Sequence, residues 1–340
     1  MRNQLQIAVV AWSILALAAI ISLFVGPIGI SPWRVAELLL GDSSALTRTE
    51  QMILLELRLP RMFTAILVGG SLGIAGVGFQ ALFRNQLADP YIIGASSGAA
   101  LGVTLAIVLG WQATLLGLQT SAIAALVGSL SLVAVVMGIG ALSSRSGSLS
   151  LLLAGVALSS MINSMVSLLM FWNEEKVPVI FAWIMGSLAS NDWNSVTSTS
   201  IIAVVGLVVL WSLSRPLDAY LLGDVASQSL GLDLTWFRVL VITGASIATG
   251  AAVSSAGIIG FVGLIAPHMA RWTVGPKHFA LIPMSACYGA LLLIIADAIA
   301  RTIVAPTELP IGSITAMLGC PFFLALLLFR SRNSLLGDAT

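Results

Sequence analysis

Apolar residues run through this chain in long unbroken tracts, not in the alternating or striped patterns of a soluble core. Charged side chains are missing from 3–33, 62–83, 90–144, 146–173, 193–214, 239–270, 279–296 and 309–329. A helix needs about 20 apolar residues to cross the hydrocarbon of a bilayer, and most of these tracts reach that length. Two must be divided. The tract 90–144 breaks near 110–120, where Trp111, Gln112 and Gln119 accompany two glycines, and 239–270 breaks near Ser254, Ser255 and Gly257. The pattern predicts an all-α polytopic membrane protein, a single transmembrane domain over 1–340. Its helices fall at roughly 6–26, 62–83, 92–110, 121–142, 149–171, 194–213, 238–254, 258–271, 279–300 and 311–329, ten in one bundle, the eighth short.

Composition agrees. The chain is 58% hydrophobic and 9% charged, with mean hydropathy +1.05, whereas a water-facing domain carries about 25% charged residues. A net charge of +1 excludes an electrostatic nucleic-acid surface, which needs clustered Lys and Arg. Cys287 and Cys320 fit no zinc spacing and read as small buried hydrophobes, so no metal site is expected. The first apolar tract is about twice the length of a signal-peptide core and ends in no small-residue cleavage site, so it reads as an uncleaved first span. Ten spans put both termini on one side. Arg2, Arg84, Arg145, Arg215, Arg238, Arg271, Lys277, Arg330 and Arg332 share that side, against six basic residues opposite. This mild excess predicts cytoplasmic termini in the cell inner (plasma) membrane.

Candidate chemistry is sparse. Gly69, Gly73 and Gly76 recur along one face of the second span, where small residues let backbones approach closely. Packing alone and lining of a pathway are both open readings. Gly94-Ala95-Ser96-Ser97-Gly98 matches G-x-S-x-G, and His268 lies in another span, so an intramembrane serine protease is one alternative. The match is weak, being built from residues common in packed membrane helices. Ion-driven carriers place carboxylates in mid-span because the charge there is costly and functional. Here only Asp297 and Arg301 lie in or near a span, four apart near its outer end, which disfavours a secondary transporter. No G-x-x-x-x-G-K-[ST] occurs, so energy from ATP requires another subunit.

Several segments are familiar in order and spacing. They are 58–61 (Arg-Leu-Pro-Arg), 80–90 (ending Arg84-Asn85-Gln86-Leu87-Ala88-Asp89-Pro90), 183–188, 260–271, 296–301, 308–312 and 319–323. Together they resemble the FecCD-like permease subunits of ABC importers for iron–siderophore complexes, haem and cobalamin. One departure is Gln86, where the family usually has proline. The resemblance implies the BtuC-like (type II) importer fold with ten spans, and a homodimer with the pathway on its two-fold axis. It also implies two ABC ATPase subunits on the cytoplasmic side, which bind the ATP and Mg, and a substrate-binding protein outside. This chain then binds no cofactor and is not itself an enzyme.

Site residues follow from the same resemblance. Arg58, Arg61 and Arg301 match arginines that meet acidic residues of the binding protein, as exposed guanidinium groups suit carboxylates. The alternative is an interfacial anchor, or internal pairing with Glu56 or Asp297. The connection 215–236 carries Gly223, Asp224, Ala226, Ser229, Leu230 and Gly231 and resembles the family's coupling helix. There Ala226 and Gly231 allow close approach to the ATPase, and Asp224 favours a helix N-terminus. An ordinary amphipathic connector is the alternative. Asn85 and Leu87 match the cytoplasmic gate. Ser160, Asn163, Ser164 and Ser167 of the fifth span are candidate pathway lining, with helix–helix hydrogen bonding equally open. Ferric siderophore is the first-choice cargo, with haem and cobalamin as alternatives.

Overall fold

The structure is a computed structural model, and it describes residues 2–26, 28–39, 46–111, 114–115, 118–142 and 148–337. Arg145 and Gln112, invoked above for orientation and for the break in the tract 90–144, lie outside the described residues. Ten helices stand where the apolar tracts predict them. They are α1 Arg2–Phe24, α2 Leu59–Leu82, α3 Ala95–Val108, α4 Thr120–Leu142, α5 Ser148–Trp172, α6 Trp193–Ser212, α7 Leu234–Ala256, α8 Val262–Val274, α9 His278–Thr302 and α10 Ile311–Gly337. Shorter helices at Pro32–Leu39, Val177–Ile184, Ser214–Tyr220 and Asp224–Ser229 occupy the connections.

Two of the ten are short, the third shorter than predicted and the eighth short as predicted. α3 has 14 residues and α8 has 13, which is about 20 Å of helix against a hydrocarbon core of about 30 Å. The third span was expected from 92, but Gly94 has φ +92, so the helix starts at Ala95. The eighth was expected from 258, but Gly257 and Phe261 both have positive φ and hold 257–260 out of helix. Irregular backbone at membrane depth is tolerated only inside protein. The two non-helical segments answer this by meeting one another. The Tyr91 hydroxyl lies 3.2 Å from both the amide nitrogen and the carbonyl oxygen of Ile259, and Ala88, Ile93 and Ile259 are buried around them.

α2 is the central element. Val68, Leu72, Ala75, Val77 and Phe79 are fully buried, and the glycine stripe lies directly on neighbouring backbone. A Cβ on Gly69 would sit 2.3 Å from the Gly289 carbonyl oxygen of α9. One on Gly73 would sit 2.2 Å from that of Ser285, and one on Gly76 1.8 Å from that of Gly263 in α8. The same device joins α3 to α4, where Gly98 faces Gly128 and Gly102 faces Ala124. Cys287 is buried as expected, but Cys320 is exposed. It sits on the open side of α10, in an apolar groove with Phe261, Phe323 and Leu324.

These contacts make a graded prediction. Gly76→Ala forces a methyl into backbone and costs about 1–3 kcal/mol of overpacking. Gly70→Ala places its methyl 3.6 Å from the nearest atom and is tolerated. Thermal melting in detergent separates the two; equal melting of both variants contradicts the packing described.

Candidate functional site

Charged groups gather at the two ends of α2. At its start, Arg61 donates from Nε to Asp297 Oδ1 at 2.9 Å and from Nη1 to Glu308 Oε1 at 2.8 Å. Arg301, one turn beyond Asp297 on α9, puts Nε 3.0 Å from Asp297 Oδ2. Its remaining donors reach the carbonyls of Val25 and Ser22, at 3.2 Å each. Arg58 donates to the carbonyls of Leu23, at 2.6 Å, and Ile28. Carbonyls in the last turn of a helix have no partner within it, so the end of α1 is a natural acceptor for guanidinium groups.

The three arginines are therefore one cluster, as expected, but they are not the exposed groups expected. Arg58, Arg61 and Arg301 are 6%, 8% and 5% exposed, because Asp297 and the end of α1 draw them inward. Pairing with Asp297 holds for Arg61 and Arg301; Arg58 takes backbone carbonyls, not Glu56. A cavity of about 210 Å³ lined by Gly26, Arg58, Arg61, Arg301 and Glu308 remains beside them.

At the far end of α2 the chain turns through Asn85-Gln86-Leu87. Asn85 Oδ1 accepts from the Leu87 amide at 2.9 Å, an Asx turn that fixes the loop. The connection between α6 and α7 lies beside it. Its helix Asp224–Ser229 is bracketed by Gly223 at φ +106 and Gly231 at φ +84, a conformation glycine adopts freely. No atom lies within 4 Å of a Cβ built on either glycine, so the close approach expected at Gly231 is not to any part of this chain. Leu222, Val225 and Leu230 project outward at 68%, 80% and 67% exposure. Ser229 bonds back to Val225 O. Asp224 starts the helix as expected, and it also pairs with Arg84 and Arg238, which the sequence pattern did not disclose.

α5 leaves most of its surface uncovered, and Ser160, Asn163, Ser164 and Ser167 are all on that open surface. The three hydroxyls bond to carbonyls one turn back, Val156, Ser160 and Asn163, at 3.0 Å each, which hides their donors without joining another helix. Of the protease candidates, Ser96, at the nucleophile position of the motif, is half-buried in the first turn of α3, and His268 Nδ1 lies 3.0 Å from Leu264 O in its own helix. A second cavity, about 380 Å³ and missed from sequence, is lined by Ser121, Trp183, Ser187, Asn191, Ser254 and Ser255.

A bundle of apolar helices with short, buried irregular segments and ionic clusters at its ends has the build of a polytopic membrane protein. Known proteins agree. The FecCD transport family model matches residues 14–329, and the chain belongs to that family. It is 40% identical over 287 residues to the cobalamin import system permease protein BtuC of Halobacterium salinarum, covering 84% of this chain and 76% of that one. It is 38% identical over 327 residues to the Fe(3+) dicitrate transport system permease protein FecD of Escherichia coli, covering 95% and 99%. A solved metal-chelate type ABC transporter in an inward-facing conformation superposes with TM-score 0.82 at 31% identity, covering 95% of this chain and 99% of that one. The chain is thus a permease subunit of the ABC-importer class.

The buried cluster makes its own prediction. Removing one partner of a buried ion pair costs about 3–5 kcal/mol, whereas replacing the whole pair with apolar groups is often neutral. Asp297→Leu leaves Arg61 and Arg301 both without their shared carboxylate and is expected to lower the melting temperature in detergent more than Arg61→Met, which leaves Asp297 paired with Arg301; the double variant is expected to lose less than the sum of the two. Additive losses in the double variant contradict a coupled cluster.

Proposed function

We propose that this chain works as a homodimer in the cell inner membrane, both termini cytoplasmic, and forms the pathway of an ATP-driven importer for a metal chelate. The observation that carries the reading is the helix Asp224–Ser229 with Leu222, Val225 and Leu230 directed away from the chain. Large apolar side chains at a solvent-facing connection fit a protein groove, here that of an ABC ATPase subunit, one per permease. That subunit binds the ATP and Mg; this chain holds no cofactor.

The open surface of α5 supports the dimer. An uncovered carboxamide such as Asn163 is costly against lipid, so this face belongs against a second copy or a water-filled path. Ser160, Asn163, Ser164 and Ser167 then line a wide, neutral passage suited to a bulky chelate, and Asn85 and Leu87 of each copy close its cytoplasmic mouth. On the opposite face a substrate-binding protein docks over the cavity beside Arg58, Arg61 and Arg301. Three guanidinium groups against Asp297 and Glu308 leave one net positive charge there, which favours an acidic side chain. Ferric siderophore is the first-choice cargo. Cobalamin is the second reading, favoured by the Halobacterium relative, and haem the third.

Proteoliposomes holding permease, ATPase and binding protein test the cargo directly. ATP-dependent accumulation of an iron-labelled ferric siderophore above that of cobalamin or haem is expected. Uptake without ATPase sinks the mechanism, and preference for cobalamin or haem replaces the cargo. Val225→Asp puts a charge into the proposed interface and is expected to lower both ATPase co-purification and uptake by about tenfold or more, the scale of an interface hot spot. Unchanged association places the ATPase elsewhere.

A further inference from the structure

The end of α2 closes in an unusual way. Asn85 N donates to Gln80 O at 3.0 Å and Arg84 N to Ala81 O at 3.1 Å, the paired bonds of a Schellman cap. The residue between helix and exit in that cap takes the left-handed conformation and is usually glycine. Here it is Arg84, at φ +48, where a side chain with Cβ is disfavoured.

The side chain accounts for the choice. Arg84 donates from Nε and Nη2 to the Tyr220 carbonyl at 3.2 and 2.7 Å, and from Nη2 to Asp224 Oδ1 at 2.5 Å. Its guanidinium carbon stands 4.1 Å from the centre of the Tyr220 ring, within cation–π range. The Tyr220 hydroxyl returns a bond to Leu82 O at 3.4 Å. Asp224 accepts with its other oxygen from Arg238 Nη2, at the start of the second turn of α7, at 3.0 Å. Arg84 is next in sequence to Asn85, and Asp224 is next to the outward-pointing Val225. One guanidinium thus spans the helix offered to the ATPase and the loop that closes the pathway.

We propose that Arg84 is the positioning residue that transmits movement of the helix Asp224–Ser229 to the loop bearing Asn85 and Leu87, with Asp224 shared between α2 and α7 as the pivot. The assignment rests on the coupling role given to that helix above. Stability is a poor explanation for the tie: the side chains of Arg84 and Asp224 are 36% and 44% exposed, and ion pairs so exposed contribute little. What the arrangement supplies is direction. A multidentate guanidinium stacked on a ring permits one relative placement of helix and loop, where a lysine ammonium permits many.

Arg84→Gly separates the two duties of this residue, because glycine keeps the left-handed cap and discards the guanidinium. In the complex with ATPase and binding protein, the variant is expected to melt at or above the temperature of the unaltered protein. Uptake per ATP hydrolysed is expected to fall about fivefold or more, the scale on which residues along a coupling network act. Spin labels at position 87 of the two copies are expected to change separation on ATP binding in the parent and not in the variant. Arg84→Lys, which keeps the charge without the fork, is expected to fall between them, and it carries the test if Arg84→Gly yields no complex. Parent-like uptake per ATP and parent-like label movement in either variant overturn the transmission role alone. A parent complex whose labels do not respond to ATP overturns the coupling role of the helix itself, and this inference with it.

Discussion

Backbone-to-backbone contact along α2 is the constraint on which the rest of the molecule depends. In lipid there is no hydrophobic drive between helices, so association relies on close packing. Gly69, Gly73 and Gly76 bring α2 onto the carbonyls of α9 and α8 with no side chain between. Such a helix is rich in a residue that weakens isolated helices. It persists here because packing on several sides leaves it no other conformation. No proline interrupts it after Pro60, whereas α8, α9 and α10 carry Pro267, Pro283 and Pro321 within them. α2 is therefore suited to act as a strut between the two ends of the bundle.

The two ends use charge differently. At the start of α2, Asp297 is enclosed by Arg61 and Arg301, and the arginines spend their other donors on helix-end carbonyls and Glu308. Buried groups of this kind are costly to disturb, and they tie α1, α2 and α9 into a fixed assembly. At the far end, Arg84, Asp224 and Arg238 are partly in solvent, where the ion pairs themselves add little to stability. A transporter needs this asymmetry: one region that holds its shape, and one whose helix and loop can shift together.

Much of this was legible in sequence, for a physical reason. Hydrocarbon punishes charge over a fixed length, so neutral tracts mark spans whatever the tertiary fold. The glycine stripe was visible because its spacing follows the helical repeat. The break at Gly257 and the shortness of α8 were legible, but the shortening of α3 at Gly94 and the later start of α8 were hidden, because they come from Gly94 and Phe261 at positive φ and from the Tyr91–Ile259 contact, 168 positions apart. The inward turn of Arg58, Arg61 and Arg301 was legible only in part, through Asp297 as an alternative partner. Sequence grouped them on one side of the membrane, but the acceptors at Ser22, Leu23, Val25 and Ile28 are tertiary neighbours. Arg84 counted only as one more basic residue on the cytoplasmic side. The signal that finds it is an arginine standing where a helix end calls for glycine.

Amide hydrogen exchange in the lipid-embedded complex, with and without ATP, tests most directly whether α2 is a rigid strut between a fixed end and a moving one. The account predicts slow exchange across 64–80 that is the same in both states, with ATP-dependent change in 83–94 and 222–231 together. Opening of the amides around Gly69 and Gly76 on ATP binding, or change in one of those two loop regions without the other, would contradict it.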